Sequence, residues 1–173
     1  MVAGLKSQSS TVAIGFSVTE GTANTFTQES VDLNLDPLSN EVFVVQAINL
    51  NITPPDAIDN IDTSTSAALT TTSQAAAAAV PTLANSNCLA RVDAQIRAKG
   101  FTDGGVAFVN QSLETPPSVL EYIGIIATND FFIQVEGFQN TGLKACTGKL
   151  YGYRAKADAS VYAALVQSEV LSA

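Results

Sequence analysis

The chain of 173 residues contains no histidine and no tryptophan, one methionine and two cysteines. Without histidine there is no imidazole base working near neutral pH, no Ser-His-Asp triad and no histidine-ligated zinc or iron. Charge is sparse: 14% of residues are charged against 46% hydrophobic, which excludes charge-driven disorder. Long apolar runs are missing too, since none approaches the roughly 20 residues that span a bilayer as a helix. Met1 to Ser10 lack the apolar stretch of a secretion signal, so the expectation is a mature N-terminus at this point and no membrane anchor. Cys88 and Cys146 are too few to define a disulfide framework, and two buried free thiols are expected. The sequons Asn51-Ile52-Thr53 and Asn110-Gln111-Ser112 are read as chance, because no signal precedes them and Pro54 follows the first.

What is present is alternation. From Thr11 to Thr19 the residues Val12, Ile14, Phe16 and Val18 point one way and Ala13, Gly15 and Ser17 the other, the period-2 mark of a half-buried strand. Val31, Leu33 and Leu35 repeat it until the turn signal Asp36-Pro37. Glu41 to Thr53 is the longest candidate: Val42, Val44, Ile48, Leu50 and Ile52 share one parity, Phe43, Val45 and Ala47 the other, and Pro54-Pro55 ends it. Its first half reads as buried on both faces.

The stretch Asp56 to Ala79 is rich in Ala, Ser and Thr; a short strand is expected near 67–73, with the rest left open. Residues 85–99 read as a helix, with Asn85 to Asn87 as caps, a Leu89, Val92 and Ile96 stripe, and Gly100 at the end. Strands follow near 105–110, 119–127 and 131–138, separated by Asp103-Gly104-Gly105, Pro116-Pro117 and Asn129-Asp130, the last suggesting a hairpin. A strand at 145–155 precedes a helix from Asp158 through Leu171. Gly152, between Tyr151 and Tyr153, marks a bulge or a close backbone approach. The sum is a mostly β fold: an eight-stranded antiparallel jelly-roll β-sandwich with one inserted helix and a C-terminal helix. It forms one domain over 1–173, with 1–10 as a flexible arm and 156–173 as a helical extension.

The charge is uneven. Residues 1–86 hold eight acids and one base, residues 87–173 eight acids and seven bases, an asymmetry that would orient neighbouring subunits or serve ordinary solubility. Asp56, Asp59 and Asp62 are candidate calcium ligands, set against a solvated acidic loop that lacks EF-hand spacing. Lys149, Arg154 and Lys156, near Tyr151 and Tyr153, are candidate nucleic-acid contacts. Lys149 and Arg154 have opposite parity, which favours surface charges and interface tyrosines instead. Tyr162, Leu165 and Val166 form an apolar stripe on the last helix, for subunit contact or for docking on the chain's own sandwich. No pair of acids stands out for glycoside chemistry and no cofactor is implied, so an enzyme is not expected.

The element order resembles the single jelly-roll capsid proteins of icosahedral viruses. The segment Gly148-Lys149-Leu150-Tyr151-Gly152-Tyr153-Arg154-Ala155-Lys156-Ala157-Asp158 with its helix looks like the last strand and tail of small coat proteins of this class. The resemblance implies a virion location, a shell built from many copies of the chain, other capsid components as partners, and interface roles for Tyr151, Tyr153, Tyr162, Leu165 and Val166. One departure matters: the first 28 residues carry Lys6 as their single base, where genome-packaging arms are rich in Arg and Lys, so genome contact would be weak or indirect. The runner-up is a β-sandwich adhesin, fibre or ligand-binding module. A carbohydrate-binding module normally shows exposed aromatic platforms, whereas this chain has four tyrosines and no tryptophan.

Overall fold

A computed structural model describes residues 4–100, 108–111 and 120–171. Outside them lie the turn signals Asp103-Gly104-Gly105 and Pro116-Pro117, residues 105–107 and 119 of two expected strands, Ser112 of the second sequon, and residues 1–3 and 172–173.

The described residues form two antiparallel sheets and one α-helix. The first sheet contains β1 (Leu5–Ser7), β2 (Val12–Thr19), β4 (Glu41–Ile52), β8 (Gly124–Ile126) and β10 (Ala145–Ala157). It is organised around β10, which pairs with β4 along one edge and with β2 and then β1 along the other, before β4 pairs with β8. The second sheet has the order β3 (Thr27–Asp32), β9 (Asp130–Phe138), β5 (Thr63–Thr70), β6 (Cys88–Arg97), β7 (Phe108–Gln111). The helix α1 spans Ala159–Leu171.

Period-2 side chains from both sheets meet in one core. Phe16 and Val18 of β2, Phe43 and Val45 of β4, Cys146 and Leu150 of β10 pack against Ala67 and Leu69 of β5 and Phe131, Ile133 and Val135 of β9. Cys88 and Cys146 do not pair with each other; Cys146 is fully buried and Cys88 half-buried. Burial pushes the Cys146 thiol up to about 11.

A second, smaller cluster lies on the outer face of the first sheet. There Leu5, Val42, Val44, Ala155 and Ala157 are covered by α1. Val42 to Val45 are all buried, as the sequence of β4 suggests. The shared parity of Val42 with Ile48, Leu50 and Ile52 does not survive, however. Tyr151 faces Ala47 and Gly152 faces Val45, so Gln46 bulges out and shifts the alternation by one residue. Val42 and Val44 therefore face α1, whereas Ile48, Leu50 and Ile52 face the core between the sheets.

Several expectations need correction. The inserted helix at 85–99 is the strand β6, paired with β5 on one side and β7 on the other. Ala90, Val92, Ala94 and Ile96 turn inward at period 2, and this alternation outweighs the helix signal of the Asn85 to Asn87 caps and the Leu89, Val92 and Ile96 stripe. Ten strands are present among the described residues, not eight. The strand expected at 67–73 runs from Thr63 to Thr70. Asn129-Asp130 is not a hairpin turn: β8 pairs with β4 and β9 with β3 and β5, so the connection passes from one sheet to the other. Within the expected arm, Leu5–Ser7 is paired with Ala155–Ala157 rather than free, and residues 156–157 belong to β10, so the extension begins with α1.

Antiparallel pairing sorts the connections by end. The β3–β4, β5–β6 and β8–β9 connections lie at the same end as the close of β10, and the β2–β3, β4–β5 and β9–β10 connections at the other.

Candidate functional site

The helix crosses the outer face of the first sheet from β1 to β8. At its start Asp158 N donates to Gly4 O at 3.1 Å and Tyr162 N to Asp158 O at 2.8 Å. At its end the buried Glu169 accepts the N–H groups of Ala127 and Thr128 on Oε2, both at 3.0 Å. Burial pushes the Glu169 carboxyl up from its ordinary value, against the two N–H donors that favour its charged form. Between these ends Tyr153, Tyr162, Leu165 and Val166 pack over Val42, Val44, Ala155 and Ala157. Four of the five candidate interface residues thus sit together inside the chain itself, and Tyr151 lies between Ala13 and Ala47 in the sheet register.

The basic candidates do not share one surface. Lys149 stands opposite Gly15 and Asn49, while Arg154 reaches the β3–β4 connection, donating to Leu33 O at 2.8 Å and Asn34 O at 3.1 Å, with Glu41 at 3.7 Å. Lys156 is exposed between Lys6 and Glu41 in the register.

The aspartates at 56, 59 and 62 are separated by the turn they share. Ile58 and Ile61 form an isolated bridge around Asn60, whose φ of 56° closes the turn. Asp62 turns to accept Ala98 N and Lys99 N, both at 2.9 Å, with Arg97 at 3.9 Å. Asp56 turns instead to the β9–β10 connection. Among the described residues no three His, Cys, Asp or Glu gather as metal ligands, so the calcium candidates do not form a site.

Asp56 belongs to a buried polar network that the sequence did not reveal. The Lys144 ammonium, 2% exposed, donates to Asp56 Oδ1 at 2.6 Å and Pro54 O at 3.1 Å. Asp56 Oδ2 accepts Thr141 N at 2.8 Å, Thr141 Oγ1 at 2.9 Å and Gly142 N at 3.0 Å. These donors, Lys144 foremost, hold the Asp56 carboxyl far below the usual carboxylate range. Glu20 is also buried: Oε2 accepts Lys144 N at 2.8 Å and Oε1 accepts Gly137 N at 2.7 Å and Thr25 N at 3.2 Å. Asn140 completes the network, its Oδ1 accepting Asp56 N at 2.9 Å and its Nδ2 donating to Ser64 O at 2.8 Å. The partners are 88 and 124 residues apart along the chain, so no local spacing could have announced them.

A second surface lies at the opposite end of the sandwich. Leu38 in the β3–β4 connection is 95% exposed, and Leu83 in the β5–β6 connection and Val170 and Leu171 at the close of α1 are more than half exposed. The five alanines Ala75 to Ala79 are exposed in the same β5–β6 connection. That connection is clamped to the second sheet by Arg91, which donates to Val80 O at 3.0 Å and Pro81 O at 2.7 Å while pairing with Asp93 at 2.7 Å.

Comparison with protein-family models, with curated proteins and with solved structures finds no match to this chain. No helix among the described residues is long and apolar enough to cross a membrane.

Proposed function

We propose that the chain is a structural subunit, not an enzyme, with a jelly-roll fold that assembles through many copies of itself into a closed icosahedral viral shell. The observation that carries the reading is the strand order. With β1 and β7 set aside as additions at the edges, the other eight strands pair first with last and inward: β2 with β10, β3 with β9, β4 with β8, β5 with β6. The pairs β10 with β4 and β9 with β5 then join them into two four-stranded layers, an order that supports the jelly-roll reading. Lectin domains and cupins share that architecture. Cupin chemistry is built on histidine ligands, which the sequence lacks.

Self-association is supported by the exposed apolar end, where Leu38, Leu83, Val170 and Leu171 lie on two connections and the helix terminus. The helix itself, with Tyr153, Tyr162, Leu165 and Val166, stiffens that end by docking on its own sheet. A basic arm plays no part in this reading, since the first 28 residues carry Lys6 as their single base, and in β10 Lys149 and Arg154 face different neighbours with Arg154 engaged by backbone carbonyls; the genome is handled weakly or by another component.

The test is negative-stain microscopy with light scattering on the purified chain at two salt concentrations. Uniform closed particles are expected. A stable monomer at both salts that retains a ligand would replace the shell reading with that of a β-sandwich binding module.

A further inference from the structure

Lys144, buried, and Asp56, whose side chain is 31% exposed, form a pair with the layout of an amide bond before it closes. We propose that Lys144 Nζ and Asp56 Cγ condense into an intramolecular isopeptide cross-link that ties the β4–β5 connection to the start of β10.

Three features carry this. First, nucleophile and electrophile are held in contact: Nζ lies 2.6 Å from Oδ1, and the lysine side chain is 2% exposed. Both backbones are pinned, Lys144 N by Glu20 Oε2 at 2.8 Å and Asp56 N by Asn140 Oδ1 at 2.9 Å. Groups fixed in this way react with effective concentrations that no free amine reaches. Second, the two carboxylate oxygens have different surroundings. Oδ2 accepts three donors, Thr141 N, Thr141 Oγ1 and Gly142 N, at 2.8 to 3.0 Å, an arrangement that stabilises the oxyanion of a tetrahedral intermediate. Oδ1 faces the ammonium, so it is the oxygen placed to collect protons and leave. Third, burial of the lysine limits the water that would compete in the reverse reaction.

The chemistry balances without a co-reactant. A proton passes from the ammonium to Oδ1 along their hydrogen bond, the neutral amine attacks Cγ, and the Nζ–Cγ bond forms as the negative charge moves to Oδ2. A second proton from nitrogen joins Oδ1, the Cγ–Oδ1 bond breaks and one water departs, leaving the amide with one N–H. The ion pair is strongly stabilised as the starting state, so the reaction is a slow, single event that follows folding. Glu20 holds the lysine backbone in place, its carboxylate accepting the backbone N–H groups of Thr25, Gly137 and Lys144.

The experiment is the intact mass of the full chain, denatured, after storage of the folded protein, followed by peptide mapping. The expected result is a wild type lighter by one water and a branched peptide joining Asp56 to Lys144. Asp56→Asn provides a second arm, because it would release ammonia instead and converge on the same mass as the cross-linked wild type. Lys144→Arg, which keeps the cation and cannot form the amide, is expected to retain its full mass. A wild type that keeps its full mass on storage overturns the proposal. So does a water loss with Lys144 unmodified, which would mark a succinimide at Asp56. Neither result bears on whether the chain forms shells.

Discussion

Phe16 in β2 and Phe131 in β9 meet edge to face across the two sheets, with ring centroids 5.7 Å apart and planes at 78°. Phe131 is fully buried, and it touches the first sheet through a strand that belongs to the second. Such a contact combines area burial with the favoured geometry of aromatic quadrupoles. Phe131→Ala is expected to lower unfolding stability by about 3–5 kcal/mol, and Phe131→Leu by less, because more of the cavity is filled. Denaturant titration of the variants checks this; equal losses for the two would mean that the volume a leucine restores counts for little and that the loss lies in the ring contact.

The inner face of β10 is kept flat by glycine at the two places where phenylalanines from neighbouring strands cross it. A Cβ at Gly148 would meet the Asn49 carbonyl oxygen and lie 2.6 Å from the Phe16 ring, and one at Gly152 would meet the Val44 carbonyl oxygen and lie 2.5 Å from the Phe43 ring. Gly148→Ala and Gly152→Ala are each expected to cost roughly 1–3 kcal/mol through overpacking. Gly15, next to Lys149 in the register, has nothing within 4 Å of the same position, so Gly15→Ala should be neutral or slightly stabilising. Thermal midpoints of the three variants separate steric cost from a general intolerance of β-sheet glycine replacement.

These positions also show what was legible in the sequence. Alternation at Val12, Ile14, Phe16 and Val18 placed β2 almost to the residue, and Gly152 marked both a register shift and a close approach. The strand β6 was not legible, because its inward residues Ala90 and Ala94 carry a helix preference that counts only until strands pair on both sides. The bulge at Gln46 was invisible for a similar reason: a parity shift in β4 is set by what β10 and α1 present, not by β4 itself. The Lys144 network was hidden by distance, its members being brought together by three connections at one end of the fold. Lys144 is among the most deeply buried side chains of the described residues, and nothing in its local sequence marks it so.

Glu169 gives the fold a pH dependence of known sign. In the unfolded chain this carboxyl ionises near 4.5, while in the folded chain burial raises that value. Between the two values the folded state binds more protons than the unfolded one, so stability falls as pH rises through that interval. Glu169→Gln can still accept from Ala127 N and Thr128 N, so α1 should stay docked and this decline should vanish. Unfolding curves collected from acid to neutral pH test it; a variant that keeps the wild-type slope would place the dependence elsewhere.

The apolar end of the sandwich yields the sharpest test of assembly, because its side chains contribute little to the monomer. Leu38 is 95% exposed and Leu83 59% exposed, so changing both to Asp removes little buried area, nearly all of it at Leu83, and should lower the thermal midpoint of the subunit only slightly. In a contact between copies the same side chains are desolvated, and two carboxylates there would have to be buried without partners, a cost that removes the interface. Leu38→Asp with Leu83→Asp is therefore expected to give a folded, small species in light scattering where the wild type gives particles. Phe138, 57% exposed on β9 at the other end, supplies the comparison: Phe138→Asp should leave particles intact. If the double variant assembles as well as the wild type while Phe138→Asp does not, the contact lies at the end that carries Lys144 and Asp56, and the exposed leucines serve no interface.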